Sequence, residues 1–336
     1  MKAEISLEKL IKSKKEKAFS LIGFILLFVL LTLLLSAAVK PDSPMDCTNK
    51  RKFEALRVFD EPNNTLDALF FGHSGVFCGI NPMEMYAKYG FTSYDCSFAS
   101  QMPWETTEFL RETLKRQKPK VVVVDVDQLL FKNLNHRADY VWSQIRRAAP
   151  IIDNHTAWKK FLPGGEQRER NYLKGYRRSR RVAPYDSDGS GGSGGSGSGG
   201  KNHNNGDKKY KIAAMSLRCF DEVIEICKEH GVELLFVELP SKKRWNNSTY
   251  NAVKKYADKK GVRFIDLNKH EKEFGFDWKK DTSDGGEHLN ESGALKTSLW
   301  LGKLIQEDYK LPDRREDKAY EFWKEDYAKY LADKAK

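Results

Sequence analysis

Short apolar runs, separated by amphipathic segments, make up the middle of this chain. The first run is Ala68–Phe71, and similar runs recur at 91–96, 121–125, 233–238 and 262–266. Short and nearly continuous apolar runs are typical of strands buried on both faces of a parallel sheet. The pattern therefore predicts an α/β fold of three-layer, flavodoxin-like type, in which a parallel sheet has helices on both faces.

The segments between these runs have the spacing of amphipathic helices. Asn81-Pro82 opens the first of them, and Gly90 lies at its end. Near the C-terminus, aromatic residues at helical spacing predict a helix that lies against the domain, which we favour over a helix on a membrane surface. The predicted helices are 82–90, 104–117, 210–230, 250–259, 292–306 and one within 313–336.

The N-terminal region has the pattern of a membrane anchor. Residues 1–17 contain six lysines, whereas residues 18–39 contain no charge. As a helix, this uncharged stretch would extend for roughly 33 Å, enough to cross the hydrocarbon core of a bilayer. We expect a retained anchor rather than a cleaved signal, although Ser36-Ala37-Ala38 resembles a cleavage site. The positive-inside rule then places the N-terminus in the cytoplasm and everything after Lys40 outside it.

An insertion between the third and fourth strands interrupts the alternation. It contains a predicted helix around 140–148, an arginine cluster at 177–181 and a tract of only Gly and Ser at 189–200. The tract is a flexible coil, whether natural or engineered. The arginines predict a solvated loop or, alternatively, a contact with anionic wall polymer or lipid headgroups. The predicted organisation is a cytoplasmic segment 1–17, a transmembrane anchor 18–39, a linker 40–65, an α/β domain 66–310 with the insertion 128–209, and a C-terminal helix 311–336.

Composition narrows the range of partners and cofactors. The 336 residues include 58 Lys+Arg and 47 Asp+Glu, which gives a net charge of +11. A basic domain outside the cell favours anionic polymers, and nucleic acid is not an expected partner. Five cysteines are too few for a disulfide scaffold, and Cys219 and Cys227 are too far apart on a predicted helix to form a bridge. No Cys/His grouping has zinc spacing, so we expect neither a metal nor a cofactor.

Candidate chemistry lies in two stretches that are far apart in sequence. The first strand is followed by Gly72-His-Ser-Gly75, in which two glycines permit a tight turn that presents Ser74 at the carboxyl end of the strand. The second stretch is a glycine-rich loop that contains Asp284 and His288. A serine hydroxyl needs a base to take its proton, and a carboxylate fixes the tautomer of that base. The two stretches together supply a nucleophile, a base and an orienting acid.

These stretches resemble the SGNH (GDSL-type) hydrolase and acyltransferase superfamily. In that superfamily a strand leads into Gly-Asp-Ser with the nucleophilic serine, and a late Asp-x-x-His supplies the acid and the base. The segment His288–Ala294 (His-Leu-Asn-Glu-Ser-Gly-Ala) is similar to the membrane-anchored, extracytoplasmic branch that includes the D-alanyl-lipoteichoic acid and alginate acylation proteins. The resemblance implies acyl transfer or ester hydrolysis by Ser74, His288 and Asp284, beside a membrane-bound O-acyltransferase.

Several positions differ from the superfamily pattern. His73 stands where Asp is frequent before the nucleophile. The acid and base are separated by one residue more than usual, so Glu287 or Asp281 is an alternative orienting acid.

The two blocks that would complete an oxyanion hole are also altered. The second block, 94–101, has no glycine, so we assign its backbone donor only weakly, to Ser97. The third block has Asp125-Val-Asp127 in place of an asparagine, and an ionised carboxylate cannot donate a hydrogen bond. The Ser74 N–H is therefore the donor that remains.

Three functions follow from these observations. The first is a membrane-anchored serine acyltransferase or esterase that acts on O-acyl groups of a cell-envelope polysaccharide. The second is a catalytically silent module that binds a polymer or a membrane complex through the same cleft. The third, a purely structural anchored protein, would make the pairing of Ser74 with His288 accidental.

Overall fold

The computed structural model describes residues 2–38, 54–131, 170–184, 209–243 and 245–336, with a few single residues between 138 and 151. The chain divides into two compact units, one formed by Met1–Thr48 and Arg137–Glu166 and the other by Asn49–His136 and Gln167–Lys336. Most of the predicted helix 140–148, the whole Gly/Ser tract 189–200 and much of the linker 40–65 lie outside the described residues.

The first unit contains the long helix α1, over Lys2–Ala38. Its segment Lys15–Ala37 is long and apolar enough to cross a membrane, by length and composition. Within this segment the hydroxyl of Thr32 donates to the Phe28 carbonyl at 2.8 Å. That hydrogen bond satisfies the Thr32 hydroxyl within the helix itself, as an apolar surrounding would require.

The second unit is built on a five-stranded parallel sheet. The strands are β1 (Ala68–Phe71), β2 (Ser93–Asp95), β3 (Val121–Asp125), β4 (Glu233–Glu238) and β5 (Arg263–Asp266). Their order across the sheet is β2-β1-β3-β4-β5 and every neighbouring pair is parallel. This is the flavodoxin-like order, so the predicted fold class is confirmed.

Helices cover both faces of the sheet. Among the described residues, the helices of this unit include α2 (Ser74–Gly79), α3 (Pro82–Tyr89), α4 (Pro103–Leu114), α5 (Ala214–Glu229), α6 (Asn247–Lys260), α7 (Glu291–Tyr309) and α8 (Glu321–Lys334). On one face α4 packs against α5, and on the other α7 packs against α2 and α3.

The apolar runs are continuous because each strand has a helix layer on either side. Successive side chains of a strand point to opposite faces. Phe70 accordingly packs in the cluster that contains Leu301 and Ile305 of α7. Its neighbour Phe71 meets Phe109 of α4 in an edge-to-face contact with ring centroids 5.6 Å apart. An alternation of apolar and polar residues would have left one of these faces unpacked.

The C-terminal helix α8 lies against the sheet domain. Its Trp323 and Tyr330 are fully buried. The Trp323 ring centroid is 5.1 Å from that of Tyr86 in α3, and the Tyr330 hydroxyl donates to Glu84 at 2.7 Å. The apolar face of α8 therefore packs against the domain, as the sequence predicted.

Candidate active site

The turn after β1 places Ser74 at the carboxyl edge of the sheet. Ser74 is the first residue of α2, and His73 is the cap residue before it. Gly72 is required here, because a Cβ atom at this position would lie 2.2 Å from a methyl carbon of Val76 and 2.8 Å from Cβ of Asp125. The chain thus passes from strand to helix in a space that admits no side chain, and the Ser74 hydroxyl is held at the surface of the turn.

A compact loop before α7 carries the histidine and its acid. Gly285 and Gly286 have φ angles of 76° and 96°, a left-handed conformation that glycine adopts without strain. The loop closes on itself, since the Ser283 N–H donates to the His288 carbonyl at 2.9 Å. We call residues 281–290 the catalytic loop.

The structure brings Ser74, His288 and Asp284 into one hydrogen-bonded series. The distance between His288 Nε2 and Ser74 Oγ is 2.7 Å, although the residues are 214 positions apart. His288 Nδ1 is hydrogen-bonded to Asp284 Oδ2. Because the Nδ1 proton faces a carboxylate, the lone pair of Nε2 is directed at the serine hydroxyl. This is the arrangement in which an imidazole can act as a general base.

Hydrogen bonds within the loop keep Asp284 ionised. Partial burial by itself would raise the pKa of Asp284, but the His288 ring and backbone N–H groups oppose it. The N–H groups of His288 and Glu287 donate to Asp284 Oδ1 at 2.8 and 3.1 Å. The result is a pKa of about 2 for Asp284. At neutral pH its full negative charge is therefore available to stabilise an imidazolium on His288.

The two alternative acids have other charged partners. Glu287 forms an ion pair with Lys243 at 3.3 Å. Asp281 is fully buried and pairs with Lys296 of α7 at 2.6 Å, while its other oxygen accepts the Ser292 hydroxyl at 2.7 Å. Asp281 thus fastens the start of the catalytic loop to α7, and Asp284 is the acid that contacts His288.

The predicted oxyanion donors differ in their surroundings. As the first residue of α2, Ser74 has an N–H that lacks an intrahelical acceptor. The N–H and the hydroxyl of Ser97 both donate to Asp95 Oδ1, so the structure shows Ser97 bonded to Asp95 rather than to the Ser74 series. Burial raises the pKa of Asp95 well above its ordinary value.

A second histidine lies on the other side of Ser74. His73 Nε2 is 2.5 Å from Asp127 Oδ2, and His73 Nδ1 accepts the Gly75 N–H at 3.2 Å and lies 3.4 Å from Ser74 Oγ. Sequence reasoning identified His73 and Asp127 only as departures from a pattern. Their contact joins residues 54 positions apart, and no local signal in the sequence indicates it.

A small pocket opens beside the Ser74 turn at the carboxyl edge of the sheet. Its walls come from the ends of β1, β3 and β4 and from the catalytic loop, and five of its residues are ionisable. The lining residues are His73, Gly75, Asp125, Asp127, Glu238, Leu239, Pro240, Ser241, Glu287 and Leu289. The pocket is thus acidic, whereas the whole chain is basic.

Residues 170–184, which follow the first part of the insertion, run across the site. The Ala183 N–H donates to the Thr282 carbonyl at 2.9 Å, and the Gly285 N–H donates to the Ala183 carbonyl at 3.1 Å. In the arginine cluster, Arg178 pairs with Glu291 at 3.3 Å, and Arg180 lies 3.7 Å from the same carboxylate. These two arginines therefore contact the domain itself, which the prediction of a solvated loop did not anticipate.

Metal-ligating side chains also gather in the catalytic loop. Among the described residues, the donor atoms of Asp284, Glu287 and His288 lie within 4.8 Å of one another. Asp284 and His288 are hydrogen-bonded to each other and Glu287 is paired with Lys243. Protein partners therefore already satisfy this group.

No family model and no curated protein matches this sequence. Among solved structures, the chain resembles the crystal structure of the acetyl xylan esterase AlAXEase, with a TM-score of 0.34 and 13% sequence identity. The match covers 70% of this chain and 98% of that chain. A likeness this distant leaves the function to be inferred from the geometry of the site.

Proposed function

We propose that this protein is a membrane-anchored, extracytoplasmic serine acyltransferase or esterase that acts on O-acyl groups of a cell-envelope polysaccharide. The observation that carries the proposal is the hydrogen-bonded series of Ser74 Oγ, His288 and Asp284, with 2.7 Å between the hydroxyl and Nε2. A nucleophile, a base and an orienting acid in this order support covalent acyl chemistry.

The geometry supports a two-step reaction. Ser74 Oγ attacks the acyl carbonyl carbon as His288 Nε2 takes the hydroxyl proton, and Asp284 stabilises the imidazolium that forms. The tetrahedral intermediate collapses, the bond to the leaving alcohol breaks, and His288 returns the proton to that alcohol. An acyl group then remains on Ser74. Water or a sugar hydroxyl attacks the acyl-enzyme by the reverse sequence of proton transfers and regenerates Ser74.

The first test is turnover of a small activated acetyl ester by the full chain in detergent. Ser74→Ala should lower the rate by at least about a thousandfold, because members of such a unit fail together. Ser283→Ala is the matched control, since that hydroxyl lies in the catalytic loop but donates only to the His288 carbonyl, at 3.2 Å. Full turnover by Ser74→Ala, or its labelling by a fluorophosphonate probe at the wild-type rate, would remove Ser74 as the nucleophile.

Membrane topology is the second component of the proposal. The uncharged stretch within α1 and the lysines before it support one N-terminal span with the α/β domain outside the cytoplasm. Protease added to spheroplasts should degrade the domain and spare an N-terminal stub. A domain that is fully protected until the membrane is dissolved would contradict this topology.

Transfer to a surface glycan is the third component, with a membrane-bound O-acyltransferase as the partner that delivers the acyl group. A tether at the membrane face and a basic outer domain favour anionic polymers within about 8 Å of the surface at physiological salt. A positioned sugar hydroxyl competes with water through its high effective concentration.

Surface ester content distinguishes these activities. We compare a deletion strain with the same strain complemented by Ser74→Ala. Transfer predicts low surface ester in both strains, whereas an esterase that trims the polymer predicts a rise in both. A normal ester content restored by Ser74→Ala would favour the catalytically silent binding module, a function that the altered oxyanion blocks also support.

A further inference from the structure

Two imidazoles flank the Ser74 hydroxyl, and each has its own carboxylate partner. His288 approaches Ser74 Oγ through Nε2 and binds Asp284 through Nδ1. His73 has the opposite orientation, because Nδ1 faces the serine turn and Nε2 binds Asp127. The proposed mechanism uses the first pair and leaves the second without a role.

The contacts of His73 define its tautomer. A backbone N–H always donates, so the Gly75 N–H requires a lone pair on His73 Nδ1, 3.2 Å away. The ring proton of the neutral imidazole is then on Nε2, which donates to Asp127 Oδ2 at 2.5 Å. Asp127 is buried and belongs to the turn that follows β3. It holds His73 in the one neutral tautomer that can accept the Gly75 N–H.

This tautomer also determines where the Ser74 proton goes. The serine hydroxyl has one proton and two imidazole nitrogens nearby, at 2.7 Å for His288 and 3.4 Å for His73. Because Nδ1 of His73 already accepts the Gly75 N–H, the shorter contact with His288 is the productive one. With the proton on Nδ1 instead, His73 would donate to Ser74 Oγ and lose its bond to Gly75.

A histidine suits this turn because it caps the helix without adding negative charge. Asp125 Oδ2 lies 3.8 Å from His73 Nε2, on the same side as Asp127. An aspartate at position 73 could also accept the Gly75 N–H, but it would add a third carboxylate to Asp125 and Asp127. The neutral imidazole lies between these carboxylates and the nucleophile.

We propose that His73 and Asp127 form a positioning pair that fixes the Ser74 turn and reserves the serine proton for His288. The role rests on the proposed function, since it acts through Ser74. His73 and Asp127 are positioning residues, and the bond-making steps remain with Ser74 and His288. The pair should affect kcat more than KM, because it sets the attack geometry rather than the substrate contacts.

The experiment uses the full chain in detergent. The variants are His73→Ala, His73→Asn, Asp127→Asn and the double variant that combines His73→Ala with Asp127→Asn. The readouts are the labelling rate of Ser74 by a fluorophosphonate probe, kcat and KM for a small acetyl ester, and Tm. His73→Ala and Asp127→Asn should each lower labelling and kcat by roughly tenfold to a hundredfold, the range expected for a misplaced nucleophile. KM should stay unchanged.

Two comparisons separate positioning from simple stabilisation. His73→Asn should recover most of the rate, because an asparagine oxygen caps the Gly75 N–H and the residue is a favoured cap. The double variant should be no slower than His73→Ala alone, because Asp127 acts through His73. Wild-type labelling and kcat in His73→Ala, or losses that add in the double variant and follow Tm, would overturn the proposal.

A measurement without catalysis tests the pair independently of the proposed function. In the Ser74→Ala background, the ¹⁵N shifts of the His73 ring, assigned by comparison with His73→Asn, should show a protonated Nε2 and a bare Nδ1. Asp127→Asn should move the proton to Nδ1. If the Ser74→Ala variant, with no other change, is still labelled by the probe, the proposed function is wrong. If the His73 ring is protonated on Nδ1 while Asp127 is present, the positioning pair is wrong.

Discussion

Replacement of Lys174 by methionine should destabilise the α/β unit strongly. The Lys174 side chain is fully buried, and its Nζ lies 2.7 Å from both Glu61 Oε1 and Asp326 Oδ2, which are also fully buried. The same Nζ lies 4.6 Å from the centroid of the Trp323 ring. Lys174 therefore joins the N-terminal part of the domain to α8 through one charge.

Methionine matches the length of the lysine stem but removes the cation shared by two buried carboxylates. Among the described residues, Asp326 then keeps only the Arg170 guanidinium, with Nε 3.4 Å from its Oδ2. Removal of one partner of a buried ion pair typically costs about 3–5 kcal/mol, because the remaining charge has lost its compensation. For a unit of this size class, 1 kcal/mol corresponds to a Tm change of about 2–4 °C. We therefore expect the Tm of Lys174→Met to fall by roughly 6–20 °C.

The loss should depend on pH in a defined direction. Burial raises the pKa of Glu61 in the folded protein, and Lys174 opposes that rise. Without Lys174, the folded-state pKa of Glu61 should rise further above its unfolded value, so stability is lost as the pH increases from about 4, the ordinary range of a carboxyl group. The Tm deficit of Lys174→Met should therefore be larger at pH 8 than at pH 5.

Thermal unfolding at several pH values measures this effect. Lys228→Met is the control, because Lys228 forms an ion pair with Glu225 at 3.1 Å in which both side chains are largely exposed. An exposed pair of this kind contributes about 0–1 kcal/mol. A triple variant that adds Glu61→Gln and Asp326→Asn to Lys174→Met should recover much of the loss. A Tm of Lys174→Met within 2 °C of the control, roughly 1 kcal/mol or less, would refute the reasoning.

Further predictions concern the catalytic loop and the nucleophile turn. Asp284→Asn should lower ester turnover by about 10³–10⁴-fold, because loss of the orienting acid favours the wrong histidine tautomer. Glu287→Gln should change turnover only a few-fold in the same assay. If Glu287→Gln has the larger effect, Glu287 is the orienting acid. Because the Asp284 pKa of about 2 lies below its ordinary value, its contribution to stability is present above pH 4 and is lost as the pH falls towards 2. Acid titration followed by circular dichroism should show a shallower loss for Asp284→Asn in that window. Gly72→Ala should lower Tm by several degrees, since its Cβ would meet Val76 at 2.2 Å, while Gly75→Ala, whose nearest contact is 3.5 Å, should leave Tm nearly unchanged.

Local sequence determined the strands and the place of the nucleophile. Runs such as Ala68–Phe71 and Val121–Asp125 predict buried strands because burial on two faces leaves a continuous apolar signal. The glycine after the first run predicts the turn that exposes Ser74. The other signals are also short-range: the end of a strand, the glycine after it, and a loop with a histidine before an amphipathic helix. The fold class and the pairing of Ser74 with His288 could therefore be predicted.

Tertiary structure decided which of the candidate acids is hydrogen-bonded to His288, and it determined which side chains surround Ser74. Asp281, Asp284 and Glu287 lie within seven residues of one another, and spacing does not distinguish them. The choice depends on the left-handed turn at Gly285 and Gly286, which directs Asp284 to the ring. The physical reason is that a sequence pattern reports whether a side chain is buried, whereas the partner of a buried polar group depends on which distant segment the fold brings beside it.

The same reason applies to the two contacts that the sequence did not indicate. His73 meets Asp127 from 54 positions away, and Lys174 meets Glu61 and Asp326 from 113 and 152 positions away. Buried ionisable groups must find charged or hydrogen-bonding partners, but periodicity carries no information about their identity. The sheet order, which brings the turn after β3 next to the turn after β1, supplied that information for His73.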